Sequence, residues 1–272
     1  MRPSVASAPD PYTLIPWDIY GVGYGESYAQ YASLTQVSPR LVSGESTLVI
    51  VTIGQSNISN SVDWTTNGQH IPANAKVENL NFINGAVYRA GPRMLGCHGA
   101  GANMASWLGD LLINNGVCQR VIFAPIGMSS SGSGQWAAGG NLNHRIGVVA
   151  RRLSAVGLVP DIVLHHQGEA EGPWPENAIV ANYQSMIDTF RTVGVLCPIL
   201  ICKTSWISGA VQSDPETRAA QAAVVNPAAG VYAGADTDTL GLAYRMTDEI
   251  HFNVSGAAAF AQLAYDALIP LL

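Results

Sequence analysis

Two short polar strings, far apart in the chain, contain the residue types of a serine nucleophile and its activating partners. The first includes Ser56 and Asn57 and follows the apolar, β-branched run 47–53, which predicts a buried strand. The second contains Asp248 and His251. A serine hydroxyl needs a base to accept its proton and a carboxylate to orient that base. These residues, in the order Ser, Asp, His, predict a serine hydrolase.

Each residue of this candidate triad has a definite role. Ser56 is the nucleophile, and its place just past a strand is where open α/β sheets put their ligands. His251 is the base, because an imidazole takes up and returns a proton near neutral pH. Asp248, three residues earlier, can reach the other ring nitrogen and fix the tautomer. Residues 253–256 (Asn-Val-Ser-Gly) can cap a helix, which leaves 248–251 as the loop at the entrance to the last helix.

The elements that must position these residues alternate between strands and helices, a pattern that indicates an α/β fold with a parallel sheet flanked by helices. Strands are predicted at 47–53, 120–126, 160–165 and 198–203, with a weaker one at 77–83. Helices are predicted at 102–115, 143–156, 177–193, 215–226 and 256–268, and the serine- and glycine-rich stretch 129–134 is predicted to be a flexible loop. Residues 1–45 are proline-rich and irregular, which indicates an extended arm or a linker, and 46–272 form one catalytic domain.

Composition and charge limit the classes of function. Charged residues make up only 12% of the 272 residues and the formal net charge is −6, so we expect no nucleic-acid partner. No apolar run approaches the length of a membrane span, and residues 1–20 show no Sec-type signal. The four cysteines form no CxxC pair. We therefore expect buried thiols, with a Cys97–Cys118 bridge as the alternative, and no metal or cofactor.

Several spaced strings together resemble one family. Gly-Gln-Ser-Asn at 54–57, Gln-Gly-Glu at 167–169 and Asp-x-x-His at 248–251 follow one another in the order found in the SGNH (GDSL-like) hydrolases. The closer match is the branch that contains sialate O-acetylesterases and family 6 carbohydrate esterases, which 141–145 and 218–221 also resemble. The resemblance covers about residues 47 to 272 and implies a three-layer α/β/α sandwich with a metal-free serine esterase site.

The resemblance also implies an oxyanion hole and substrate contacts. The oxyanion donors would be the backbone N–H of Ser56, the side-chain amide of Gln167 and a glycine N–H, for which we take Gly101, with Gly99 and Gly127 as alternatives. An amide N–H aimed at the developing alkoxide stabilises the transition state. The expected substrate-binding residues lie in or near these strings and are Gln55, Asn57, His166, Glu169 and Trp136.

Other assignments of the same residues stay open. Glu169 could instead hydrogen-bond the nucleophile loop, or pair with Glu171 as the acids of a glycoside hydrolase. His165, His166 and Glu169 have metal-ligating side chains, but neighbouring residues of a strand point to opposite faces, which argues against a shared ion. Trp174, in a loop after a strand, could stack on a sugar or be a rim residue without a ligand.

The sequence favours a carbohydrate O-acetylesterase that acts on an acetylated carbohydrate substrate. A lipid esterase or thioesterase is the enzymatic alternative, although the polar, glycine-rich loops favour a hydrated substrate. The alternative of another class is a glycan-binding or structural module of a virion or cell surface, built on an esterase fold, which we expect to form a homo-oligomer or a larger assembly.

Overall fold

Eight strands form one sheet in the computed structural model, which describes residues 34–63, 70–209 and 212–272. Their bounds are β1 Gln36–Val37, β2 Thr47–Gly54, β3 Val77–Leu80, β4 Val87–Arg89, β5 Arg120–Pro125, β6 Ile162–His166, β7 Ile199–Lys203 and β8 Val231–Asp236. The order across the sheet is β1-β4-β3-β5-β2-β6-β7-β8. β4 pairs with its two neighbours in antiparallel fashion, and β3, β5, β2, β6, β7 and β8 are parallel.

Strand β2 lies inside the sheet and is buried on both faces, which explains its continuous apolar sequence. Val49, Val51 and Ile53 contribute to the hydrophobic core on one side of the sheet. Leu48 and Ile50 contribute to the core on the other side. Because side chains alternate along a strand, this one run supplies both cores and holds its carboxyl end rigidly between β5 and β6.

Helices cover both faces of the sheet. Their bounds are α1 Ala105–Asn114, α2 Ser133–Trp136, α3 His144–Ala155, α4 Glu176–Thr192, α5 Pro215–Ala223 and α6 Val254–Leu268. The core on the Val49 side includes Ile146 of α3 and Met186 of α4, whereas the core on the Leu48 side includes Leu108 of α1 and Phe260 of α6. The three-layer α/β/α sandwich expected from the sequence is therefore confirmed.

The differences from the predicted elements concern short or edge segments. The five predicted helices and five predicted strands all form, with ends shifted by a few residues. β1, β4 and β8 were not predicted, because β1 and β4 are two and three residues long and β8 reads VYAGAD, too rich in small residues to stand out. The predicted flexible loop 129–134 leads into the short helix α2.

The predicted arm at 1–45 divides into two parts. Residues 1–33 lie outside the described residues. Within 34–45, Gln36 and Val37 pair with Tyr88 and Val87 of β4, so the sheet begins before residue 46, where the sequence placed the start of the domain.

The C-terminal helix is more apolar than the sequence analysis allowed. Residues 254–271 have a mean hydropathy of 1.3, and within the part of the chain that the structure describes this is the one helical segment long and apolar enough to cross a membrane by length and composition. In the structure one face of α6 packs into the core, with Phe260, Ala261, Ala264 and Leu268 buried. The core helix of a folded domain passes the same test of composition.

Candidate active site

The turn that contains Ser56, residues 54–58, lies at the end of β2 and is fixed by its contact with β6; we call it the nucleophile turn. Gly54 has φ +136°, and a Cβ at this position would lie 1.9 Å from the carbonyl oxygen of His166, so only glycine fits. The next residue, Gln55, donates its backbone N–H to the same carbonyl at 3.1 Å. Ser56 then begins a 3-10 turn that ends at Ile58. Its side chain lies at the carboxyl edge of the sheet, 4% exposed.

The second half of the candidate triad is a tight turn before α6. Asp248 Oδ2 lies 2.7 Å from His251 Nδ1, and Asp248 Oδ1 accepts the backbone N–H groups of Ile250 and His251 at 2.9 and 3.0 Å. Partial burial pushes the pKa of Asp248 up, but the bonds from the His251 ring and the two N–H groups outweigh burial and lower this pKa. The carboxylate therefore stays ionised and binds the imidazole at Nδ1, which is the contact that the predicted triad requires.

This turn depends on a residue in an unfavourable backbone conformation. Glu249 has φ +63°, which costs a non-glycine residue free energy. Two side chains hold the turn in place: Trp206 Nε1 donates to the Glu249 carbonyl at 2.7 Å, and Arg245 Nη1 donates to the Ile250 carbonyl at 2.7 Å. The Arg245 guanidinium also lies over the rings of Trp206 and Phe252, at 4.8 and 4.2 Å from their centroids.

Asn57 joins the nucleophile turn to the turn at 248–252, which contains His251 and which we call the histidine turn. Its side-chain Nδ2 donates to the Ile250 carbonyl at 3.3 Å, and its Oδ1 accepts the Phe252 N–H at 3.1 Å. These two backbone groups flank His251 on both sides, and Asn57 directly follows Ser56. The structure therefore ties the turn that contains Ser56 to the turn that contains Asp248 and His251.

Glu169 fixes the other end of the Asn57 amide. Its Oε1 accepts Asn57 Nδ2 at 2.7 Å, which is the contact with the nucleophile loop considered from the sequence. Burial raises the pKa of Glu169 despite this hydrogen bond. Among the described residues its Oε2 is buried without a hydrogen-bond partner. Glu169 therefore acts on the nucleophile turn through the Asn57 amide, as a positioning residue.

The side chains of Gln55 and Gln167 bind each other. Gln55 Oε1 accepts Gln167 Nε2 at 2.7 Å and two backbone N–H groups of the 168–170 segment at 3.3 and 3.2 Å. Gln167 Nε2 also donates to the Ser131 carbonyl at 2.7 Å and to Glu171 Oε1 at 2.8 Å. The predicted substrate role of Gln55 and oxyanion role of Gln167 are therefore corrected, because these groups already hold the loop after β6 against the nucleophile turn.

The glycine assignment for the oxyanion hole also changes. The Gly101 N–H donates to the Asn60 carbonyl at 2.8 Å, so it is not available to an oxyanion. Gly127, one of the two alternatives, touches the nucleophile turn, since a Cβ there would lie 2.5 Å from Ser59 Oγ. The Ser56 N–H donates to no acceptor within the described residues, which leaves it available for the predicted role.

Three residues expected to bind substrate are buried instead. Asn57 and His166 are 0% exposed and Trp136 is 1% exposed. His166 stacks near Phe260, 4.6 Å between ring centroids, and burial lowers its pKa to about 3. Trp136 Nε1 donates to Ser131 Oγ at 3.0 Å. Their positions in or near the motifs therefore reflect packing, and the structure does not support a substrate contact for any of them.

His165 and His166 face opposite sides of the sheet, as strand alternation predicted. His165 packs edge-on against Tyr183, 5.0 Å between ring centroids, whereas His166 packs beside Phe260. The pair therefore does not converge on one ion with Glu169.

The sequence analysis missed two residues that hold the site, and the contacts of a third. Arg245 and Trp206 support the histidine turn, and nothing local in the sequence marks them. Glu171 binds both the N–H and the hydroxyl of Ser133, at 2.6 and 2.7 Å. The sequence suggested Glu171 only as an acid paired with Glu169, because its partner Ser133 lies on another loop and the contact depends on the fold.

Comparison with known proteins gives matches of fold only. No protein-family model and no curated protein matches the sequence. A solved structure of an Arabidopsis thaliana protein matches with a TM-score of 0.63 and 14% identity, over 83% of this chain and 98% of that one. NanS matches with a TM-score of 0.59 and 12% identity, over 85% and 98%. A carbohydrate acetylesterase from Xanthomonas citri matches with a TM-score of 0.58 and 13% identity, over 82% and 56%.

The chain has the SGNH hydrolase fold. The solved structures with this SGNH fold include esterases and a GDSL-like lipase as well as NanS. The likeness to these structures is one of fold, and the nucleophile turn described above lies at the carboxyl end of a central parallel strand.

Proposed function

We propose that the protein is a serine esterase that removes O-acetyl groups from carbohydrate, with Ser56, His251 and Asp248 as its catalytic residues. The observation that carries the proposal is the pair of Asn57 hydrogen bonds to Ile250 and Phe252. A side chain next to the nucleophile binds the backbone on either side of the base, which is the arrangement needed to keep the serine and the imidazole in register.

The geometry supports an acyl-enzyme mechanism. His251 accepts the Ser56 proton through Nε2 while Asp248 binds Nδ1, so the hydroxyl oxygen can attack the acetyl carbonyl carbon. The Ser56 N–H donates to the oxyanion that forms. His251 then returns the proton to the sugar oxygen as the C–O bond of the ester breaks. Water, activated by the same imidazole, attacks the acetyl-serine and releases acetate.

Two observations favour a small acyl group on a hydrated substrate. The nucleophile is almost buried, at 4% exposure, and the residues on either side of it, Gln55 and Asn57, carry polar amides. A carbohydrate acetylesterase is among the proteins with a similar fold. A long acyl chain would instead need a continuous apolar wall to cover its surface.

The test is acetate release from p-nitrophenyl acetate and from a panel of acetylated polysaccharides. Ser56→Ala should reduce turnover on both to near background, whereas the matched control Ser61→Ala, whose hydroxyl contacts Ser129 at 3.1 Å, should keep wild-type turnover. Unchanged turnover in Ser56→Ala would reject the triad. A folded wild-type protein that is inactive on every ester would favour a glycan-binding module on an esterase fold.

A further inference from the structure

One pocket in the described part of the chain has no role in the mechanism proposed above. It has a volume of about 530 Å³ and is lined by residues of α2, of the loop after β6 and of α4. This volume falls within the roughly 300–1,000 Å³ of small-molecule sites. We call it the Trp174 pocket, after the side chain that is the most exposed large apolar group in its lining, at 57% exposure.

The groups around the Trp174 pocket combine an aromatic face with amides. Asn182 uses one amide hydrogen on Ser133 Oγ at 3.0 Å, so its carboxamide keeps a second hydrogen and an acceptor oxygen for a ligand. Gln135 also lines the pocket; its Oε1 accepts the Gly132 N–H at 2.9 Å and its Nε2 donates one hydrogen to Asn141 Oδ1 at 3.1 Å, so it keeps one amide hydrogen for a ligand. A flat indole can cover the C–H face of a saturated sugar ring, and amides can bind the hydroxyl groups at the edge of that ring.

The charge of the pocket further limits its ligand. Among the described residues that line it, the one ionisable side chain is Glu171, which is 1% exposed. Both carboxylate oxygens are in use, since Oε1 accepts the Ser133 N–H and Gln167 Nε2 while Oε2 accepts Ser133 Oγ. The pocket therefore presents no free charge, which favours a neutral ligand over an anionic or a cationic one.

A short path of hydrogen bonds connects this pocket to the nucleophile. Ser133 binds Glu171, Glu171 binds Gln167, and Gln167 binds Gln55, the residue before Ser56. The pocket and the proposed nucleophile are therefore connected through the buried side chains of Glu171, Gln167 and Gln55.

We propose that the Trp174 pocket is a carbohydrate subsite in which a neutral sugar ring stacks on Trp174 while an acetylated sugar of the same chain reaches Ser56. This inference rests on the proposed function and deepens it: it names a neutral, oligomeric carbohydrate as the substrate class. It also assigns Trp174 as a residue that distinguishes a polymeric substrate from a small ester.

The kinetic test compares two substrates in the full chain. Trp174→Ala should lower kcat/KM about ten-fold on acetylated oligosaccharides, because the stacking surface is lost, and leave kcat/KM on p-nitrophenyl acetate unchanged. Trp174→Phe should keep most of the activity on the oligosaccharide. The control is Leu196→Ala, which removes an apolar side chain of 77% exposure outside the pocket. Equal effects of Trp174→Ala on both substrates, or no effect on either, would overturn the subsite.

A binding test separates failure of the subsite from failure of the proposed function. Ser56→Ala protein is titrated with unacetylated xylo-, manno- and gluco-oligosaccharides, and tryptophan fluorescence is followed. We expect saturable binding of at least one series, lost in Ser56→Ala/Trp174→Ala. Binding without esterase activity in the wild type would retain the subsite and reject the esterase. Absence of binding by every series, or binding that persists without the Trp174 ring, would reject the subsite.

Discussion

Replacing Asn57 by alanine tests whether one amide holds the catalytic residues together. The Asn57 side chain is 0% exposed and binds Glu169, the Ile250 carbonyl and the Phe252 N–H. Without it, the histidine turn loses both bonds that tie it to the nucleophile turn. We therefore expect Asn57→Ala to lower both the stability of the fold and the turnover of ester substrates.

The size of the stability loss follows from the groups that would be left without partners. The Ile250 carbonyl keeps its bond from Arg245 at 2.7 Å and contributes little. The Glu169 carboxyl and the Phe252 N–H lose a partner in the interior, and together these losses cost about 3–6 kcal/mol. For a domain of this size, that corresponds to a fall of roughly 10 °C in Tm. A displacement of His251 by about 1 Å lowers kcat on the order of 100-fold.

Asn60 provides a matched control three residues further along the chain. It is 2% exposed, and its amide binds the backbone of Met94 and Cys97 with three hydrogen bonds of 2.9, 2.9 and 3.3 Å. Asn60→Ala should lower Tm by a similar amount and keep kcat near the wild-type value. Thermal unfolding and p-nitrophenyl acetate turnover are measured for both variants. Equal losses of kcat in the two variants, or a wild-type kcat in Asn57→Ala, would refute the reasoning.

Three further variants test other parts of the site. Asp248→Asn removes a carboxyl whose pKa is lower in the folded protein, so the carboxyl stabilises the fold above its unfolded pKa and this effect is lost as the pH falls through its folded pKa. The free energies of unfolding of wild type and variant should therefore differ at neutral pH and converge at low pH. A difference that stays constant with pH would contradict this. Gln167→Ala should lower Tm together with kcat, because Gln167 holds three loops; loss of kcat at an unchanged Tm would restore the oxyanion role. Arg245→Lys keeps the charge, but a lysine cannot bind the carbonyls of Leu240, Ile250 and Thr237 together. We expect kcat to fall about ten-fold with KM nearly unchanged. Full activity would exclude a positioning role for Arg245.

Most of the fold could be predicted because its core elements have strong periodic signals. The run 47–53 is apolar apart from Thr47 and Thr52 and is buried on both faces from Leu48 onward, as expected for a strand between two helical layers. α3 repeats its buried residues at helical spacing, from Ile146 through Val149 to Leu153. The edge strands β1 and β4 carry no such signal, because a strand of two or three residues is defined by its pairing partner alone.

The places of the proposed triad residues in the fold could be predicted for a different reason. Ser56 follows a recognisable strand, and Asp248 and His251 are three residues apart, so local spacing already contains half of the geometry. The oxyanion and substrate assignments needed information that spacing does not contain. Whether the Gln167 amide faces a substrate or Gln55 depends on how two loops from adjacent strands meet, and that contact joins residues 112 positions apart.

The motif residues bind one another, and this limits where specificity can arise. Gln55, Asn57, Gln167 and Glu169 use their polar groups to join the loops after β2 and β6 to the histidine turn. A buried polar group that lost such a partner would be costly, so these side chains cannot also adapt to different sugars. The groups free to do so lie in the segments around 132–135 and 171–182, which line the Trp174 pocket. Exchanging these segments should therefore change the preferred polysaccharide while turnover of p-nitrophenyl acetate is retained; a parallel loss of both activities would place specificity back in the motif residues.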